Sequence, residues 1–214
     1  MNEGVKRNRE PGTRRAEQAR ATRRRIIDRA GALFAEQGYA ATTLGQIARS
    51  ADVAVQTLYF HFGNKATVLK ELVDVLAVGD DEPVPLLDRD WVRRIEQEPD
   101  GRRALEIWLR NAREIFGRVA PIMTVVRDAA GSDPEMAAQW RANQDQRYTA
   151  QLSVARQLSG KRALRTDLTV EQAADIVFCM VSPEVYHLFT AVRGWTPEQW
   201  EKWATEAVAT AILR

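Results

Sequence analysis

Cysteine and histidine are almost absent, and their scarcity excludes most site chemistries at once. The one cysteine, Cys179, admits no intrachain disulfide. Set between Phe178 and Met180, it reads as a small buried apolar residue. A chain without disulfides fits a reduced, cytoplasmic setting. The two histidines, His61 and His187, belong to no HxxxH or ExxH pattern, and no GxSxG or Gly-rich phosphate loop occurs. With no nucleophile–base pair in view, the sequence predicts no enzyme, no metal site and no cofactor. Apolar runs of the roughly 18 residues that span a bilayer are missing, so no membrane segment is expected. The Arg-rich N-terminus lacks the apolar stretch of a secretory signal and the serines of a transit peptide. Period-two alternation is missing too, so no strands are expected, and no internal repeat is visible.

What is present is charge placed unevenly and helical periodicity. Residues 1–65 hold 12 Lys/Arg against 6 Asp/Glu, a local +6, while the remainder is net −4. Two readings fit this: a polyanion partner at one end, or a solvated basic helix face. Residues 1–12 are polar and aperiodic and read as a disordered basic arm. Its cations Lys6, Arg7 and Arg9, with Arg14 and Arg15 beyond it, suit phosphate or minor-groove contact, or a solubilising tail. A first helix is expected over about 13–37, its apolar stripe Ile26, Ile27, Ala30, Leu33 and Phe34, stopped by Gly38.

Further helices are expected over 44–50, 55–60 and 64–78. An acidic linker over 80–90 should follow, then a turn or two over 91–97. Beyond it helices are expected over 101–117, 120–130, 133–159, 170–192 and about 197–213. Asp133-Pro134 and Thr196-Pro197 are start signatures, and Thr169 with Gln172 forms a capping box. Pro183 should kink or restart its helix, with Ser182 as local cap.

Residues 42–69, TTLGQIARSADVAVQTLYFHFGNKATVL, carry the strongest signal. Thr43 can cap a helix, and Gln46 three positions on completes the box. That helix should bury Leu44, Ile47 and Ala48. After the turn at Ala51–Val53, the next helix should bury Leu58 and present Val55, Gln56, Thr57 and Tyr59 outward. Two short helices joined by a tight turn make a helix-turn-helix, whose second helix enters the major groove. This segment resembles the DNA-binding domain of the TetR family of bacterial regulators. The resemblance rests on Thr42-Thr43, Ile47-Ala48, Val53, the run Thr57-Leu58-Tyr59-Phe60-His61-Phe62, Asn64-Lys65 and Leu69.

The resemblance implies an all-α fold. An N-terminal three-helix helix-turn-helix domain (13–63) is joined to a larger helical effector-binding and dimerisation domain (64–214). It places Val55, Gln56 and Thr57 at base-reading positions. It places Tyr59, His61, Lys65 and the helix N-terminus at Thr43 against phosphate, with Gly45 offering its backbone N–H. The chemistry agrees, since Tyr hydroxyls, Lys ammonium groups and helix N-termini donate to phosphate and Gln pairs with adenine. His61 as a surface side chain and Tyr59 as half-buried packing are the plainer alternatives. Phe60 and Phe62 are expected to pack the small domain. Two departures stand out. Ala54 replaces the frequent capping Ser, and Asp52 replaces the frequent turn Gly, which Asp tolerates at some cost.

For the larger domain the resemblance implies a small-molecule effector and a homodimer on a palindromic double-stranded DNA operator. Candidate effector contacts are Trp108, Asn111, Met123, Trp140, Gln144, Tyr148, Phe178 and Tyr186, which lack a charged cluster and suggest an apolar or mixed ligand. Candidate dimer contacts are Val185, Leu188, Phe189, Trp200, Trp203, Ala207 and Ala211, an apolar aromatic-rich set. Ordinary core packing is the plainer reading of both. The function expected is a sequence-specific repressor released by an effector. A regulator or activator without an effector, and a helical adaptor, are the alternatives.

Overall fold

The computed structural model describes residues 11–79 and 86–214, the side chains of 11–14 and Leu87 excepted. The expected arm 1–12 and the core of the expected linker 80–90 therefore lie largely outside the described residues. Ten α-helices account for most of the rest: α1 (Pro11–Ala41), α2 (Leu44–Ser50), α3 (Val55–Phe62), α4 (Lys65–Val78), α5 (Asp90–Gln97), α6 (Gly101–Ala130), α7 (Pro134–Gly160), α8 (Val170–Met180), α9 (Pro183–His187) and α10 (Pro197–Ile212). A 3-10 turn spans Leu86–Asp88 and a π-helical turn spans Leu188–Val192.

The chain forms two compact units, divided inside α4 between Leu72 and Val73. The sequence placed that division at Asn64. The difference arises because Ala66, Val68, Leu69 and Leu72 bury their side chains in the small unit. Each buried aliphatic side chain contributes roughly 1.5–3 kcal/mol, so the first half of α4 stays with it.

In the N-terminal unit Ile26, Ile27, Ala30 and Phe34 of α1 form the buried stripe that helical spacing predicts. Gly38 breaks α1 with φ 77° and ψ 176°, a conformation essentially reserved for glycine. The turn into α2 is pinned by Thr42, fully buried, whose hydroxyl donates to Gly38 O at 2.7 Å and accepts from Gln37 Nε2 at 3.2 Å.

In the C-terminal unit α6 runs unbroken over Gly101–Ala130, where two helices were expected. Pro121 sits inside it on an exposed position, and the Gly117 carbonyl that it cannot bond lies on the same exposed side of the helix. Gly101 opens α6 where α7 and the following turn come closest: a Cβ there would lie 2.2 Å from Ala163 Cβ. Trp200 of α10 is fully buried against the rings of Phe116 and Tyr186, with centroids at 5.7 and 5.0 Å. Arg113 ties α6 to α10 through Glu198 at 2.9 Å and Glu201 at 3.1 Å.

By length and composition alone the stretch Val170–Val192 could cross a membrane. It is not one helix, however. Ser182 restarts the chain, its hydroxyl accepting from Val185 N, after α8 ends at Met180. Cys179 is exposed, not buried as expected. The helical period that buries Ala173, Ala174 and Val177 carries residue 179 to the outer face.

Candidate nucleic-acid interface and internal cavity

The helix-turn-helix is built by local capping and a left-handed turn. Thr43 accepts from Gln46 N at 3.2 Å while Gln46 Oε1 accepts from Thr43 N at 2.8 Å. The first-turn N–H groups at Leu44 and Gly45 have no intrahelical acceptor, as at any helix start. Asp52 takes φ 51°, the left-handed conformation the turn requires. Arg25 Nε donates to Ala51 O at 2.8 Å and so closes the C-terminus of α2.

Helix α3 buries Leu58 and Phe62 and turns the rest outward. Gln56 and Tyr59 are exposed, Val55, Thr57 and His61 are half-buried. Phe60 is 83% exposed, where the sequence expected packing. The phase explains this: residues 58 and 62 face inward one helical turn apart, so residue 60 faces outward. An aromatic side chain this exposed beside Gln56 and Tyr59 belongs to the same surface, and the phase was the signal that would have found it.

Ala54 at the start of α3 makes no side-chain cap. Its extended backbone (φ −69°, ψ 145°) is that of an ordinary N-cap. Ala54→Ser should therefore stabilise the N-terminal unit by about 1 kcal/mol in thermal or urea unfolding. An unchanged midpoint would show that the cap is satisfied some other way.

Lys65 is placed differently from the expectation. Its ammonium donates to Tyr39 O at 2.7 Å and Thr42 O at 2.9 Å, and lies 4.0 Å from the centroid of the Tyr39 ring. It closes the carbonyls at the end of α1 and locks the α1–α2 turn to α4. Arg23 is engaged in the same internal way, donating to His61 O at 3.1 Å, pairing with Glu71 and lying 4.7 Å from the Phe62 ring centroid. Lys65→Met should thus lower the melting temperature of the DNA-free protein, by the roughly 1–3 kcal/mol that orphaned buried acceptors cost. A variant with unchanged stability and reduced DNA affinity would return Lys65 to the phosphate-contacting set.

The C-terminal unit contains a cavity of about 170 Å³ lined by α4, the 3-10 turn, α5, α6, α7 and the start of α9. Of the residues expected at an effector, Trp108, Met123 and Gln144 line it. Asn111 lies instead at a separate hollow near Gly79 and Arg118, its amide donating to Ile107 O at 2.7 Å. Trp140, Tyr148, Phe178 and Tyr186 are not among the lining residues. Tyr186 is held in the core by Phe116 and Trp200, and Tyr148 packs edge-on to Phe178 at 5.9 Å.

The cavity also holds charge that the sequence did not reveal, Arg147 and Glu184. Burial pulls the Arg147 guanidinium below its usual pKa, and the Glu184 carboxylate acts against that shift. No local sequence signal marks this pair, because one residue is on α7 and the other on α9. At the edge of the same region Arg118 Nε donates to Leu76 O at 2.8 Å and closes the C-terminus of α4. Val73 and Ala77, from the same end of α4, line the cavity.

Trp200 was expected at a dimer interface, but it is wholly internal. The other members of that set differ. Leu188 is 55% exposed, and Val185, Phe189, Trp203, Ala207 and Ala211 are half-buried. The Phe189 ring packs at a tilt against Trp203, with centroids 4.4 Å apart, and against Trp195 at 4.5 Å. Val192, 60% exposed, joins Leu188 on the same turn and was not singled out in the sequence.

Residues 26–72 match the family model of bacterial regulatory proteins of the tetR family. The HTH-type transcriptional regulator TtgR of Pseudomonas putida is 43% identical over 63 residues, 29% of this chain and 30% of that one. The icaADBC HTH-type negative transcriptional regulator IcaR of Staphylococcus aureus (strain Newman) is 43% identical over 49 residues, 23% of this chain and 26% of that one. The chain thus matches under a third of the length of these curated relatives. The solved structure of NalD, the secondary repressor of the MexAB-OprM multidrug efflux pump in Pseudomonas aeruginosa, superposes with a TM-score of 0.71 at 20% identity, covering 92% of this chain and 98% of NalD. That likeness shows a shared fold through both units. Residues 26–72 thus match the tetR family of bacterial regulatory proteins in sequence, and the chain shares the fold of NalD through both of its units.

Proposed function

We propose that the protein is a transcriptional repressor that binds a palindromic DNA site as a homodimer and leaves it when a small molecule occupies the C-terminal cavity. The observation that carries this reading is the outward face of α3, where Gln56, Tyr59 and Phe60 are exposed on the second helix of a helix-turn-helix. Gln56 suits adenine, half-buried Val55 and Thr57 suit a thymine methyl, and Tyr59, His61 and the N-terminus of α2 suit phosphate. IcaR is named a negative regulator and NalD a repressor, which supports repression over activation. Helix α4 supplies the connection, since its residues Val73 and Ala77 line the cavity while its first half belongs to the DNA-binding unit. An occupant of the cavity can act on α4 and so favour one spacing of the two recognition helices over another. Half-sites about 34–36 Å apart accept only one spacing.

Enrichment of the full chain's targets from random-sequence duplexes tests this. A shared motif with two-fold symmetry is the expected result. Recovery of duplexes with no common sequence would contradict it.

The homodimer rests on the apolar exposure of Leu188 and Val192 beside half-buried Phe189 and Trp203. Leu188→Arg should convert a dimer to a monomer in sedimentation, with DNA affinity falling in step. Sedimentation identical to the unsubstituted protein would place the interface elsewhere.

A further inference from the structure

The cavity of the C-terminal unit is mostly apolar, with Trp91, Trp108 and Phe116 among its walls. Its polar groups are unequal in their partners. Glu184 Oε1 and Gln151 Oε1 are buried and accept from no donor among the described residues. Gln151 is 2% exposed, and its amide nitrogen is spent on Val181 O at 3.5 Å. A buried acceptor without a donor is costly, and an ionised one more so.

The cation lining the same cavity does not answer these acceptors. Arg147 donates from Nη1 to Phe178 O at 2.8 Å and Val181 O at 3.3 Å, and from Nε and Nη2 to Gln144 Oε1 at 3.2 and 2.7 Å. Its guanidinium also lies 3.7 Å from the centroid of the Phe178 ring. It is therefore committed to the C-terminal carbonyls of α8, whose partial negative charge it meets. What the cavity still offers is acceptors, one of them a carboxylate, beside aromatic faces that attract cations.

We propose that this cavity takes an amphipathic organic cation: a protonated amine on a small hydrophobic body. Its N–H donors are shared between the Glu184 carboxylate and the Gln151 amide oxygen, and its body lies among Trp91, Trp108 and Phe116. The inference rests on the effector-released repressor reading above and names the chemistry of that effector. Size follows from the cavity: an apolar void of roughly 150 Å³ accepts benzene, so about 170 Å³ suits a phenyl group with a short amine arm. A carboxylate ligand would leave both acceptors unanswered and add repulsion against Glu184. A neutral alcohol brings one donor to two acceptors.

The test is calorimetric titration of the full chain with three matched series at neutral pH. These are benzylamine, phenethylamine and 3-phenylpropylamine, then the corresponding alcohols, then the corresponding carboxylates. At least one amine should bind roughly tenfold more tightly than its alcohol and its carboxylate. Glu184→Gln should cost that amine roughly tenfold while leaving the alcohol within about twofold, so the alcohol reports an intact cavity. Gln151→Met should weaken the amine by a few-fold, and it serves if the first variant does not fold.

Absence of amine binding up to about 10 mM, carboxylates binding as tightly as amines, or an amine indifferent to Glu184→Gln would each overturn the proposal. The DNA reading is scored separately. An amine with the predicted selectivity that leaves DNA affinity unchanged supports the ligand class and contradicts effector release. Loss of the selectivity in a protein that still binds its DNA motif contradicts the ligand class alone.

Discussion

Gln56→Ala combined with Tyr59→Ala should lower affinity for an enriched duplex by roughly a hundredfold or more, without loss of thermal stability. Both side chains are exposed on α3 and neither supports the core, which at this helix is Leu58 and Phe62. Alanine is also the better helix former, so the helix itself should not suffer. A Gln–adenine pair is worth about 1–3 kcal/mol of discrimination and a hydroxyl–phosphate bond about 1 kcal/mol, and tenfold in affinity is about 1.4 kcal/mol. The single variants should part company. Gln56→Ala should relax the preference at one base position, while Tyr59→Ala should weaken all duplexes alike. Fluorescence anisotropy on matched and altered duplexes, with melting curves alongside, reads both. Equal binding by the double variant and the unsubstituted protein would remove α3 as the reading helix.

The largest stability effect should come from Trp200→Ala. Trp200 is fully buried between Phe116 and Tyr186, and truncating a buried Trp costs about 3–5 kcal/mol. Domains are stable by only about 5–15 kcal/mol, so urea unfolding of the C-terminal unit should shift far toward low denaturant. Its indole Nε1 is buried without an acceptor among the described residues. Trp200→Phe removes that N–H and keeps much of the ring, so it should cost clearly less than Trp200→Ala. An interface role would give a different pattern: a folded chain with unchanged melting and altered sedimentation. Observing that pattern would contradict the internal placement.

What could be read from the sequence was what neighbours along the chain decide. The capping boxes Thr43–Gln46, Thr169–Gln172 and Thr196–Gln199 all form, as do the Asp133 cap and the Ser182 restart, because each needs only residues within one helical turn. The helix-turn-helix was legible for the same reason, down to the left-handed Asp52. Phase errors explain Phe60 and Cys179, whose outward positions follow from their buried neighbours at helical spacing. Lys65 was not legible, since its acceptors at Tyr39 and Thr42 lie on other elements. The cavity was least legible of all. Arg147 and Glu184 carry charge and by sequence alone read as surface residues, and only the packing of α7 against α8 and of α9 against α6 brings them to one void. Aromatic residues such as Tyr186 lie in the core instead, because the tertiary fold, not helical spacing, decides which side of a buried ring faces a cavity.

The central claim is that this chain recognises a particular DNA sequence and holds it partly through phosphates. The most direct measurement is affinity for the enriched duplex and for its scrambled version across salt from about 50 to about 200 mM. Counterion release counts phosphates met by cations, and residues 1–65 hold 12 Lys/Arg against 6 Asp/Glu, so log affinity should fall steeply as log salt rises. The enriched duplex should be bound roughly 10³-fold more tightly than the scrambled one. Equal affinity for the two duplexes, or a slope near zero, would contradict the account.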